Sequence, residues 1–155
     1  MNVVDPLDLC EELLVKTKSK YTVTSIEVVS NILDLVCSEV PKRRYPSYKD
    51  IRVLAAPAII CTYGPLYPLV LQHTKIESYE DILEIIEICL SVGLMYSTPG
   101  DNPTDLLSYG TVNLLEACQL NYNNYYKNHI QGKANEGSKR KSPGYSQAGP
   151  KSKRT

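Results

Sequence analysis

Lysine and arginine residues that could contact phosphate or an import receptor are concentrated in the last part of the chain. Residues 132–155 contain seven Lys or Arg and one acid, Glu136, which gives a net charge of about +6. The cations form two clusters about ten residues apart. This is the pattern of a bipartite nuclear localisation signal, in which each cluster occupies its own acidic site on an import receptor. The clusters are Lys139, Arg140 and Lys141, followed by Lys151, Lys153 and Arg154.

The same cations could instead hold RNA or DNA, because each Lys or Arg beside a phosphate releases a counterion on binding. A solubilising tail is the simplest alternative. Gly, Ser, Pro, Lys and Arg dominate this segment and no apolar periodicity remains, so we expect it to be disordered when free. Ser142-Pro143 adjoins the first cluster, and phosphorylation there would subtract up to about two charges and weaken either interaction.

A second basic segment, between residues 41 and 52, interleaves cations with tyrosines. Cations could neutralise a phosphate backbone while the rings stack on unpaired bases. The competing interpretation is a solvated connector whose cations balance an acidic domain, because a short basic run is weak motif evidence. The predicted nucleic-acid-binding residues of this segment are Lys42, Arg43, Arg44, Tyr45, Tyr48, Lys49 and Arg52.

A polar aromatic run from Asn121 to His129 precedes the basic tail. Its tyrosines could stack on bases beside the tail. We favour a solvated helix end over which the rings lie, because nothing in the sequence orders these rings for recognition.

The sequence matches no catalytic, cofactor or metal-binding pattern. It has two histidines, and its five cysteines lie 24 to 29 residues apart without a Cys-x-x-Cys pair. We therefore predict a non-enzymatic protein with no metal and no cofactor. Each cysteine falls in an apolar segment, which predicts free, buried thiols in a reducing compartment. The cysteines are Cys10, Cys37, Cys61, Cys89 and Cys118.

The rest of the chain is acidic and aliphatic. Residues 1–131 carry sixteen acids and ten bases, a net charge of about −6, and the chain contains no Phe or Trp. Leu, Ile, Val and Tyr must therefore fill the core. The acidic N-terminus lacks the basic and apolar regions of a signal sequence, so secretion is not expected.

One uncharged stretch, between Arg52 and Lys75, is long enough to cross a bilayer. Four residues in this stretch would interrupt a single spanning helix and leave backbone groups unsatisfied in lipid: Pro57, Gly64, Pro65 and Pro68. We therefore predict that this stretch is a buried, kinked core segment and not a membrane-spanning helix, and that the protein has no membrane as a partner.

Capping signals and apolar periodicity predict an all-α fold, a compact bundle of about five to six helices. Asp5, Ser47 and Ser78 are predicted to cap helices, a capping box is predicted from Thr24, and Asn102 or Thr104 is predicted to cap the last helix. The serine-tyrosine pair recurs at residues 47, 78 and 108. Stacked repeats could produce this spacing, but the preference of serine for helix N-termini explains it better.

These observations divide the chain into a helical globular domain, residues 1–131, and a basic tail, residues 132–155. An acidic helical domain followed by a basic tail resembles the layout of small viral capsid and nucleocapsid proteins. The first hypothesis is a nuclear protein, made in the cytoplasm, that associates with RNA or DNA and with an import receptor. By the resemblance it would be a small viral structural or regulatory protein that forms homo-oligomers. The alternative is a protein-interaction adaptor whose tail serves only nuclear import.

Overall fold

A computed structural model describes residues 3–40, 46–96, 100–107 and 113–130, and these residues contain six α-helices and no β-strand. The predicted all-α class is confirmed for this part of the chain. Short 3-10 turns at Gly64–Leu66 and Pro103–Leu106 connect helices, and a π-helical turn, Tyr126–Ile130, follows the last one. The α-helices are α1 Pro6–Lys16, α2 Val23–Glu39, α3 Tyr48–Tyr63, α4 Tyr67–Thr74, α5 Tyr79–Ser91 and α6 Leu114–Tyr125.

Side-chain caps start three helices at the predicted residues. Asp5 accepts a hydrogen bond from the backbone N–H of Leu7 at 2.9 Å. The hydroxyls of Ser47 and Ser78 accept hydrogen bonds from the N–H groups of Asp50 and Asp81, which stand three residues later. The carboxylate of each aspartate in turn accepts a hydrogen bond from the backbone N–H of its serine at 2.9 Å. Both pairs are therefore reciprocal capping boxes.

Two predicted helix starts were wrong. Helix α2 begins at Val23, and the N–H of Thr22 donates to the Ser25 hydroxyl at 3.0 Å, so the box lies two residues before the predicted one. Helix α6 begins after Asn113, whose side chain accepts from the Glu116 N–H. Asn102 caps the short 3-10 turn instead.

The core is built from branched aliphatic side chains on α2, α3 and α5. Helix α3 packs against both α2 and α6, and α5 packs against α2. Four fully buried isoleucines from these helices, Ile32, Ile59, Ile82 and Ile85, share one hydrophobic cluster. The predicted reliance on aliphatic residues follows from the absence of Phe and Trp.

The uncharged segment contributes α3 and α4 to this fold. Residues Tyr48–Thr74 are long and apolar enough to cross a membrane by length and composition, with a hydropathy of 1.6, but core helices pass the same test. Helix α3 continues through Pro57 and ends at Tyr63. Gly64 caps it with a φ of +55° and a ψ of −136°, a conformation that favours glycine. Ala55 and Ile59, which lie within the uncharged stretch, are buried, whereas 33% of the apolar window as a whole is buried.

Three of the five thiols are buried, as predicted, at Cys10, Cys89 and Cys118. The prediction was wrong for Cys37 and Cys61, which are exposed. Val36 and Ile60, their immediate neighbours, take the inward positions, and adjacent residues on a helix point in different directions. An apolar segment therefore does not bury every residue that it contains.

Candidate binding surfaces

Tyr48, predicted to stack on bases, is a core residue. Its side chain is 5% exposed, and burial, with the nearby carboxylates of Asp101 and Glu87, raises its pKa above the usual value. Its backbone N–H donates to the Asp101 carboxylate at 3.1 and 3.2 Å. Little of this ring is open to solvent in the described fold, and the stacking role of Tyr48 stays a prediction.

Arg52 is also partly internal. Its guanidinium carbon lies 3.8 Å from the centroid of the Tyr79 ring, a cation–π contact between α3 and α5. Among the predicted nucleic-acid contacts that the structure describes, Lys49 is the one exposed residue. Residues Lys42, Arg43, Arg44 and Tyr45 lie outside the described residues, as do both basic clusters of the tail and Ser142-Pro143.

An apolar groove of about 300 Å³, here called the leucine groove, lies between α2, α5 and the start of α3. Helix α2 contributes Ser30, Leu33, Asp34 and Cys37, which share one face because they are three or four residues apart. Its remaining lining is Pro46, Tyr48, Ile51, Ile86, Leu90, Leu94, Met95, Tyr96 and Asp101.

The lining of the leucine groove is mainly apolar. Five of its thirteen lining residues are leucine or isoleucine, and Met95 adds an adaptable side chain. Two carboxylates, those of Asp34 and Asp101, are its charged lining residues. Grooves of this kind accept the apolar face of an amphipathic helix, and the carboxylates would favour a partner with flanking cations.

A second groove of about 690 Å³, here called the tyrosine groove, lies between the C-terminal half of α3 and the end of α6. None of its nine described lining residues carries a formal charge. The ring of Tyr122 packs against the ring of Tyr67, with centroids 5.7 Å apart and an interplanar angle of 46°. Lining residues are Pro57, Ile60, Cys61, Gly64, Pro65, Asn121, Tyr122, Tyr125 and Tyr126.

The phase of α6 explains how three tyrosines reach one groove. Leu114 and Cys118, four residues apart, are fully buried on the face that packs on α3. The same face continues through Tyr122 to Tyr125 and Tyr126, where the side chains are progressively more exposed. The tyrosine run was interpreted as a generally solvated helix end, but the spacing from Cys118 could have indicated that the rings share one face.

A buried polar cluster links α5 to the segment before α2. The carboxylate of Asp81 accepts hydrogen bonds from Lys20 at 2.8 Å, the Tyr21 hydroxyl at 2.5 Å and the backbone N–H of Glu77 at 2.7 Å. Burial alone would raise the pKa of Asp81, but these hydrogen bonds and that of Ser78 hold it below the usual value. These contacts favour the ionised carboxylate and tie α5 to the segment before α2.

The acidic face of α5 is exposed, as its periodicity predicts. Glu80, Glu84 and Glu87 lie on the solvent side, and Glu84 also accepts from the Tyr21 hydroxyl at 3.2 Å.

No group of three or more His, Cys, Asp or Glu residues suited to hold a metal ion occurs in the part of the chain that the structure describes.

Comparisons of the chain with protein-family models, with curated proteins and with solved structures each found no match. The charges and grooves of the chain itself are therefore the basis for a functional proposal.

Proposed function

We propose that this protein is a non-enzymatic, nucleic-acid-associated protein of the nucleus, in which the helical domain presents docking surfaces and residues 132–155 contact phosphate. The supporting observation is the separation of charge along the chain. Residues 132–155 carry about +6, whereas residues 1–131 carry about −6. A polyanion is repelled by the acidic part as a whole, so the attraction has to come from the basic segment.

The two clusters of the basic segment would also bind a nuclear import receptor. Their spacing allows Lys139–Lys141 and Lys151–Arg154 to reach separate acidic sites on that receptor. Import and phosphate binding would then use the same cations at different times, because a receptor-bound cluster cannot also contact phosphate.

The test is salt-dependent binding by the intact chain and by a variant that lacks residues 132–155. Six phosphate contacts on a single strand give a slope of about −4 in log K against log salt, or about 300-fold weaker binding between 50 and 200 mM salt. The deletion should abolish this salt-sensitive affinity for RNA or DNA. Unchanged affinity after the deletion would refute the proposal.

A matched control removes charge from the domain instead. Lys16, Lys18 and Lys75 are exposed on the helical domain, and their replacement by glutamine removes three cations. Replacing Lys139, Arg140 and Lys141 by glutamine removes the same charge from the tail. The tail variant should reduce the salt slope by about 2, whereas the domain variant should leave it nearly unchanged.

The leucine groove favours a second candidate function, a protein-interaction adaptor whose tail serves only import. Its partner would be an amphipathic helix with apolar side chains toward Leu33 and Leu90 and cations toward Asp34 and Asp101. On this reading the purified protein has no affinity for nucleic acid at physiological salt. Deletion of the tail changes location in the cell while partner binding is retained.

A further inference from the structure

We propose that the tyrosine groove binds unpaired bases of single-stranded nucleic acid. This inference rests on the proposed nucleic-acid function and deepens it by naming the strand type and the surface that holds the bases. The groove would contribute stacking, in addition to the phosphate contacts that the proposed function assigns to residues 132–155.

The exposed rings of the groove supply stacking surfaces. Tyr125 and Tyr126 are 44% and 52% exposed, although both line the groove. Tyr122 is half-buried and its position is fixed by the contact with Tyr67. Stacking of a base on an aromatic side chain contributes about 1–3 kcal/mol, and every base has a face that can stack.

The absence of charge from the described lining matters because the domain is acidic. Residues 1–131 carry about −6, and a phosphate near a carboxylate would be repelled. The nine lining residues include no acid, and Pro57 and Pro65 add apolar wall on the α3 side. The leucine groove, by contrast, contains Asp34 and Asp101 and is the less suitable of the two for a polyanion.

The groove lies next to the origin of the basic segment. Lys127 is exposed and directly follows Tyr126. Lys133 follows Ile130, the last described residue, by three positions, which limits their separation to about 10 Å of chain. Lys139 follows by nine positions, a span of at most about 30 Å. Lys127 therefore adjoins a lining residue of the groove, and the segment assigned to phosphate binding begins a short length of chain beyond it.

Strand type follows from the stacking requirement. A base in a duplex already has its faces covered by neighbouring pairs, and freeing it costs a few kcal/mol of unstacking. Bases of a single strand can stack on the tyrosines without that cost. A proline-rich peptide also fits aromatic-lined grooves, but an uncharged peptide gains nothing from the adjacent cations.

The experiment measures binding of a fluorescent 12-nucleotide uridine oligomer and of a DNA duplex to the intact chain. Tyr125→Ala combined with Tyr126→Ala should weaken binding of the single strand about 5- to 150-fold, the equivalent of one lost stacking contact. Duplex affinity should change less than about twofold. Leu120→Ala is the matched control, because Leu120 is 60% exposed on the same helix, α6, and lines neither groove.

Two exposed thiols provide a second readout that needs no substitution. Cys61 lines the tyrosine groove and Cys37 lines the leucine groove. The uridine oligomer should slow alkylation of Cys61 and leave the rate at Cys37 unchanged. Because Tyr125 and Tyr126 are surface residues, the circular dichroism spectrum of the double variant should match that of the intact chain.

The outcomes distinguish this inference from the proposed function. If deletion of residues 132–155 abolishes binding while the tyrosine variant binds as the intact chain does and Cys61 stays reactive, the groove inference is overturned and the proposed function stands. If the intact chain binds no nucleic acid and a proline-rich peptide protects Cys61, both are overturned. Loss of single-strand affinity in the tyrosine variant, with Cys61 protected only by the oligomer, supports the inference.

Discussion

Replacing Asp81 with alanine should destabilise the protein far more than the same change at Asp50. Both aspartates occupy the third helical position of a capping box, and each accepts the N–H of its serine at 2.9 Å. Asp81 also accepts from the Lys20 ammonium, the Tyr21 hydroxyl and the Glu77 N–H. The residue is only 5% exposed, whereas Asp50 is half-buried.

The magnitudes follow from these contacts. Loss of a cap costs about 1 kcal/mol, which is the expectation for Asp50→Ala. Asp81→Ala removes a cap and also an acceptor of the Tyr21 hydroxyl and of the Glu77 N–H. An unsatisfied group of this kind costs about 1–3 kcal/mol, so the expected total for Asp81→Ala is about 3–5 kcal/mol. The Lys20 side chain is 53% exposed, so its ion pair adds less than about 1 kcal/mol. Most of the difference, about 2–4 kcal/mol, comes from the Tyr21 hydroxyl and the Glu77 N–H, which lose a buried acceptor.

Urea denaturation at pH 7 measures the unfolding free energy of both variants. The two variants must have equal m-values for their free energies to be compared. Tyr21→Phe removes only the hydroxyl and should cost about 1–2 kcal/mol. A double-mutant cycle with Asp81→Ala should therefore show coupling. Equal losses for Asp81→Ala and Asp50→Ala would refute the reasoning, because the tertiary contacts of Asp81 would then contribute nothing beyond the cap.

The contribution of Asp81 should also depend on pH. Its pKa is lower in the folded protein than in the unfolded chain, where an aspartate titrates near pH 3.9. The stabilisation is therefore present above the unfolded pKa and is lost as the pH falls through the folded pKa. The difference in unfolding free energy between the intact chain and Asp81→Ala should shrink below about pH 4.

Three further predictions test the fold. Alkylation at pH 8 should modify Cys37 and Cys61 in the native protein and all five thiols in denaturant. Cys10, Cys89 and Cys118 are protected in the native protein because burial raises the pKa of their thiols. Mass spectrometry counts the adducts. Gly64→Ala should lower the unfolding free energy by about 1–3 kcal/mol, since an added Cβ meets no atom within 4 Å but the positive φ is strained. Urea denaturation checks that value, and a loss below about 0.5 kcal/mol would contradict it. Ile59→Ala, at a fully buried site, should cost about 2–5 kcal/mol, whereas Val53→Ala, at a 66% exposed site on the same helix, should cost less than about 0.5; similar losses would place Ile59 outside the core.

Local chemistry explains which parts of the fold could be predicted. The caps at Ser47 and Ser78 depend on hydrogen bonds between residues three apart, so the sequence alone contains both partners. The last helix was placed too early because Asn102 has the same capping chemistry but caps only a 3-10 turn. A capping residue identifies a helix start without determining how far that helix continues.

The sequence by itself determined the helical class, the caps at Asp5, Ser47 and Ser78, and the separation of charge, because each depends on residue type or on neighbours in the chain. Only the tertiary structure decided that Tyr48 is buried and that Cys61 and Tyr125, 64 residues apart in sequence, line one groove. The packing of α6 on α3 brings those residues together. Such packing depends on the shapes of side chains from distant segments, and helical periodicity contains no information about which segments meet.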